Sequence, residues 1–130
     1  MKKLLFGLMI ASLLVFGERA FALTLTLSGA EITVEYTEPT TNENGAVLED
    51  LSHTSIYYDM GDGAVKAVDV PAANPTGGGV ISQAVTVPVT SGMERDVQIW
   101  ATASDGSGNE SAPSETKVVR VDRLAPSAPN

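Results

Sequence analysis

The sequence predicts an all-β fold, an antiparallel two-sheet β-sandwich of seven strands. Three observations carry that prediction. Apolar and polar residues alternate one by one in short runs, and turn-forming residues punctuate the chain between those runs. Beyond residue 22, no stretch of about a dozen residues shows the helical period.

Residues 1–22 stand apart from this pattern. Lys2 and Lys3 precede an apolar run from Leu4 to Phe16, and Ala20-Phe21-Ala22 follows as a small-x-small exit. A basic start, an apolar stretch and such an exit make a secretory signal peptide, with cleavage after Ala22. The run falls short of the roughly 20 apolar residues of a membrane span, and retention as an uncleaved anchor is the rival reading. The organisation expected is therefore a signal peptide at 1–22, one domain at 23–122 and a Pro-rich tail at 123–130.

The first strand expected is Leu23–Leu27, with leucines on one face and threonines on the other. In Glu31–Thr37, Ile32, Val34 and Tyr36 share a face. Thr54–Tyr58 follows, with Ile56 and Tyr58 on one side and Tyr57 on the other. Val65–Val70 is the fourth strand. Val85, Val87 and Val89 alternate with Thr86 and Pro88 to give the fifth, with Pro88 confined to an edge or bulge because it has no N–H to donate. The sixth places Val97, Ile99, Ala101 and Ala103 opposite Gln98, Trp100 and Thr102. The seventh sets Val119 and Val121 against Val118 and Arg120. Period 2 of this kind marks a half-buried strand. The expected core is Leu27, Ile32, Val34, Tyr36, Ile56, Tyr58, Val68, Val87, Val97, Ile99, Ala101 and Val119.

Three stretches, taken in order, resemble a bacterial fibronectin type III domain, an immunoglobulin-like sandwich. Val34-Glu35-Tyr36-Thr37-Glu38-Pro39-Thr40-Thr41, running on to Asn44-Gly45, is similar to that family's second strand and the loop after it. Ile56-Tyr57-Tyr58 is similar to its third strand. Ala103-Ser104-Asp105-Gly106-Ser107-Gly108-Asn109-Glu110-Ser111-Ala112-Pro113-Ser114 resembles the turn between its last two strands. The resemblance covers most of residues 24–122. The chain departs from the family pattern at Tyr36, where Trp is usual, and at Thr54 and Val97, where Tyr is usual. A single, divergent domain is what the resemblance implies.

The chain has 16 acidic and 8 basic residues, and three of the basic ones leave with the signal peptide against one acidic residue. A surface this acidic repels phosphate backbones and anionic lipids, so neither nucleic acid nor, after cleavage, a membrane is an expected partner. With no Cys there is no thiol nucleophile, disulfide framework or Cys-ligated metal. His53 is the single histidine and is expected in a loop or at a strand edge. No catalytic motif is present. Acidic residues fall into three clusters: Glu38, Glu43, Glu49 and Asp50; Asp59 and Asp62; and Asp105 with Asn109 and Glu110. Oxygen-rich clusters suit calcium, but none has the EF-hand spacing, and Asp and Asn in turns ordinarily cap their own backbone. No metal or cofactor is assigned. Gly77-Gly78-Gly79 is expected to be a flexible loop.

The functional candidates are Trp100, Tyr57 and Arg120. Each is out of phase with its strand's core residues, so each points away from the core, and the resemblance to fibronectin type III implies that their strands neighbour one another in one sheet. An exposed Trp, Tyr and Arg on one face suits contact with a protein or polysaccharide. The other arrangement open to them is Arg120 stacked on Trp100 as a cation–π pair. The function expected is a secreted or periplasmic, non-catalytic binding or spacer module of bacterial type. The alternative is a structural subunit or accessory component of a cell-surface assembly.

Overall fold

The computed structural model describes residues 22–130, so the signal-peptide reading lies outside the described residues except at Ala22. Seven strands form: β1 (Thr24–Ser28), β2 (Glu31–Thr37), β3 (Leu51–Asp59), β4 (Val65–Pro71), β5 (Val80–Thr86), β6 (Glu94–Asp105) and β7 (Lys117–Asp122). Every pairing is antiparallel. One sheet runs β1-β2-β5 and the other β4-β3-β6-β7. This is the two-sheet sandwich that the alternation predicts.

The β2 pattern shows why. Ile32 and Val34 are fully buried and Tyr36 nearly so, while Glu31, Glu35 and Thr37 face solvent. Ile56, Val97, Ile99, Ala101 and Val121 bury themselves from the opposite sheet. Removing such apolar surface from water is the main favourable contribution to the fold, roughly 25 cal/mol per Å². β1 and β2 are joined by the two-residue turn Gly29-Ala30, where Gly29 has φ of 62°. That left-handed value at the first central position suits glycine and matches the right-handed twist of the strands on either side.

One core expectation and one strand boundary are corrected. Leu27 is 38% exposed, and Leu23, at 3%, is the leucine that enters the core. Leu27 lies next to the turn on an edge strand, with a neighbour on one side only. The fifth strand begins at Val80 and ends at Thr86, before Pro88. Val87 and Val89 are buried, but past the strand: the Val87 N–H reaches Ala30 and the Val89 N–H bonds to the Val87 carbonyl. Their alternation reports burial, while the proline stops the ladder. Tyr58, Val68 and Val119 are partly buried against the core.

The two sheets are also tied by a polar contact. The Tyr36 hydroxyl on β2 lies 2.6 Å from Thr54 Oγ1 on β3, and Thr54 is fully buried. Tyr36 and Thr54 thus meet in the core as a bonded pair.

A second polar anchor holds the connection that crosses from β4 to β5. Glu38, 2% exposed, accepts N–H bonds from Ala73 (2.9 Å) and Gly79 (3.0 Å), and its own N–H donates to the Gly79 carbonyl. A buried carboxylate is tolerable when backbone donors surround it in this way. Gly77-Gly78-Gly79 is accordingly a packed segment. A Cβ on Gly77, whose φ is +71°, would fall 1.8 Å from the Pro39 carbonyl oxygen, and one on Gly79 would fall 2.8 Å from Glu38 Oε1.

Candidate functional site

The outer face of the four-stranded sheet carries the aromatic residues. Tyr57 on β3 and Trp100 on β6 are direct cross-strand partners. Their rings stack with centroids 5.8 Å apart and planes 5° from parallel. Both are half-buried. Such a pair contributes about 0.5–1.5 kcal/mol beyond its area. A register shift in the β3–β4 pairing, between Ile56 and Tyr57, sets Lys66 opposite Tyr57, with Nζ 6.0 Å from the ring centroid.

The β6–β7 connection folds back beside this pair. Glu110 accepts the Tyr57 hydroxyl (2.8 Å) and the Thr102 hydroxyl (2.6 Å) on a single carboxylate oxygen. These bonds lower the Glu110 pKa, Thr102 contributing most, and the bond to Glu110 raises that of Tyr57. One row along, Ser55 donates to Asp69 at 2.6 Å, and Lys66 Nζ stands 3.3 Å from the same carboxylate oxygen. Asp69 is lowered, first by Ser55, and Lys66 is raised by Asp69. The result is a stacked aromatic pair set in a fixed polar surround.

Of the three residues picked out from the sequence, the fold brings Tyr57 and Trp100 together and leaves Arg120 apart. Arg120 shares the outer face but lies opposite Asp96, four positions along β6 from Trp100. At the usual rise per residue that is about 13 Å. It donates to Asp96 Oδ1 at 2.8 Å and to Glu94 Oε1 at 3.1 Å. The arrangement with Arg120 on Trp100 is therefore not formed; the two carboxylates hold the guanidinium, and the cation near the aromatic pair is Lys66.

The stretch 103–114 has a structural explanation. Asp105 Oδ1 accepts N–H bonds from Ser107 and Asn109, and its Oδ2 accepts the Asn109 side chain. Asn109 holds the Asp105 pKa down more than any other group. Ser111 and Ser114 accept the backbone N–H groups of Ala103 and Ala101, replacing ladder partners along β6. The same fold-back covers Thr102 and Ser104, which are 5% and 8% exposed although they alternate with core residues.

The acidic pair Asp59 and Asp62 is similarly engaged. Asp59 caps Gly61 and Gly63, and Asp62 pairs with Arg95. Among the described residues no three His, Asp or Glu side chains gather in a way that could hold a metal ion. His53 Nδ1 lies 3.0 Å from Ser52 Oγ, and its Nε2 lies 3.9 Å from Asp69 Oδ1. The second distance is too long for the hydrogen bond that orients a catalytic histidine.

An open cleft of about 1380 Å³ lies at one end of the sandwich, between the β2–β3 and β6–β7 connections. Leu48, Leu51 and Ala103 line it together with the polar Asn42, Glu43, Asp105 and Asn109. Sequence reasoning missed Lys66 and Glu110 as neighbours of the aromatic pair. Glu110 falls within a recognised turn, but nothing local shows which way its carboxylate faces. No family model matches this chain, and no curated protein matches it.

Proposed function

We propose that this protein is a divergent fibronectin type III-like module, secreted or periplasmic, that binds without catalysis through the outer face of its four-stranded sheet. The observation that carries this reading is the stacked Tyr57–Trp100 pair, half-exposed and fixed by Glu110. A rigid aromatic surface with hydrogen-bonding groups beside it loses little entropy on contact and suits a protein or polysaccharide partner. The strand order supports the family resemblance: β4 pairs with β3, whereas the fourth strand of an immunoglobulin constant domain joins the other sheet. Arg120, engaged by Glu94 and Asp96, would contribute at the margin of the face.

The test is capture of partners from a periplasmic extract and from a polysaccharide array, using the protein and its Trp100→Ala variant. Trp100→Ala is expected to abolish retention of the partner while leaving the circular dichroism spectrum of the sandwich in place. Binding that survives this substitution unchanged refutes the aromatic-face reading. The alternative, a structural subunit of a surface assembly, draws on the open sheet edges of the same fold.

A further inference from the structure

A sandwich of this kind has four strand edges, and edges ordinarily carry charge, proline or a bulge that discourages pairing with another chain. β4 has Lys66, Asp69, the terminal Pro71 and an irregular register. β7 has Lys117, Arg120 and Asp122. The three-stranded sheet has no such protection: its charged residues, Glu31 and Glu35, lie on the central strand β2. β5 lies within a charge-free run from Val70 to Met93, in a chain whose formal net charge is −8.

The ladder defines what the β5 edge presents. The Val87 N–H bonds to Ala30 and the Glu38 N–H to Gly79, so the odd-numbered positions of β5 face β2. Val80, Ser82, Ala84 and Thr86 therefore direct their N–H and C=O groups toward the open edge. Their side chains are all exposed, Val80 at 77%. By the same parity β1 turns only Leu25 and Leu27 outward within its five residues. The Gln83 side chain meanwhile donates to the Ala84 carbonyl at 3.0 Å, occupying one acceptor that a pairing strand would take over.

We propose that β5 pairs antiparallel with β5 of a second copy of this chain, about a two-fold axis at Gln83, joining two three-stranded sheets into one. This rests on the fold and the charge distribution and is independent of the aromatic-face reading. The edge is self-complementary. The axis sets Val80 against Thr86 of the second copy and Ser82 against Ala84, so no charge faces a charge, and about eight ladder hydrogen bonds form. A second copy, being acidic, is repelled by most of this surface and admitted at the uncharged strip. A basic partner would be drawn to the acidic connections instead.

Sedimentation equilibrium of the purified protein from micromolar to millimolar concentration tests the proposal. A monomer–dimer equilibrium is expected, strengthened by added salt because the acidic surfaces are then screened. Ser82→Lys and Ala84→Pro are each expected to weaken it about tenfold or more. Position 84 turns its N–H away from β2, so proline there spares the native ladder, and circular dichroism confirms that each variant is folded. Trp100→Ala and Val118→Lys, on the other sheet, should leave the dimer intact. A protein that is monomeric at millimolar concentration overturns the proposal. So does a dimer indifferent to both β5 substitutions, or one lost on Val118→Lys.

Discussion

The Tyr36–Thr54 bond allows the coupling between the two sheets to be measured. Thr54 is fully buried and its Oγ1 lies 2.6 Å from the Tyr36 hydroxyl. Tyr36→Phe removes the hydroxyl and leaves Thr54 without that partner; a buried polar group so treated costs about 1–3 kcal/mol. Thr54→Val removes the same bond from the other side. The double substitution replaces both partners by apolar groups of similar shape, so it should cost less than the two single losses together, by about 1–2 kcal/mol. The assay is urea unfolding of all four proteins, followed by far-ultraviolet circular dichroism. Losses that add to within about 0.5 kcal/mol would refute the claim that the pair acts as a unit. Burial, the largest influence on Tyr36, also raises its pKa above 10.0. The unfolded chain therefore loses this proton first, so the associated stability is intact below pH 10.0 and falls as pH rises beyond it. Tyr36→Phe should flatten that alkaline decline.

Further outcomes follow from other contacts. Glu110, Asp69 and Asp105 all have lowered pKa values, so the unfolded chain takes up their protons first on acidification. Their contribution is present above the ordinary carboxylate values of 4.5 and 3.8 and is lost as pH falls through the lowered ones. Glu110→Gln should make unfolding less sensitive to acid, as seen in urea midpoints taken between neutral pH and pH 3. Gly77→Ala forces a Cβ onto the Pro39 carbonyl at a left-handed φ, and should cost about 2 kcal/mol or more in the same unfolding assay.

The fold was legible wherever one residue's neighbours decided its side. β2 alternates apolar and charged residues without interruption, and its burial follows the alternation. Legibility failed where a distant segment decided the outcome. Thr102 alternates like a surface residue, but Glu110 and the β6–β7 fold-back cover it. Val85, Val87 and Val89 carry a true burial pattern, yet the strand stops before Pro88 and starts at Val80, in a stretch with little alternation of its own. The site was legible in part. Phase turns Tyr57, Trp100 and Arg120 away from the core, but strand order and register decide which of them touch, and register places Arg120 beside Asp96. Glu38 looked like one of several loop carboxylates because its two donors come from residues 35 and 41 positions away.

That buried carboxylate bears on how the chain avoids entanglement with its copies. The segment between β4 and β5 is the hinge about which the first four strands and the last three could be traded between molecules. Glu38 grips it near both ends, at Ala73 and Gly79. Opening the hinge would pull the Glu38 side chain away from its two backbone donors, so reciprocal exchange of halves carries a penalty from the outset. Neutralising that grip with Glu38→Gln should lower the barrier to interlocked oligomers.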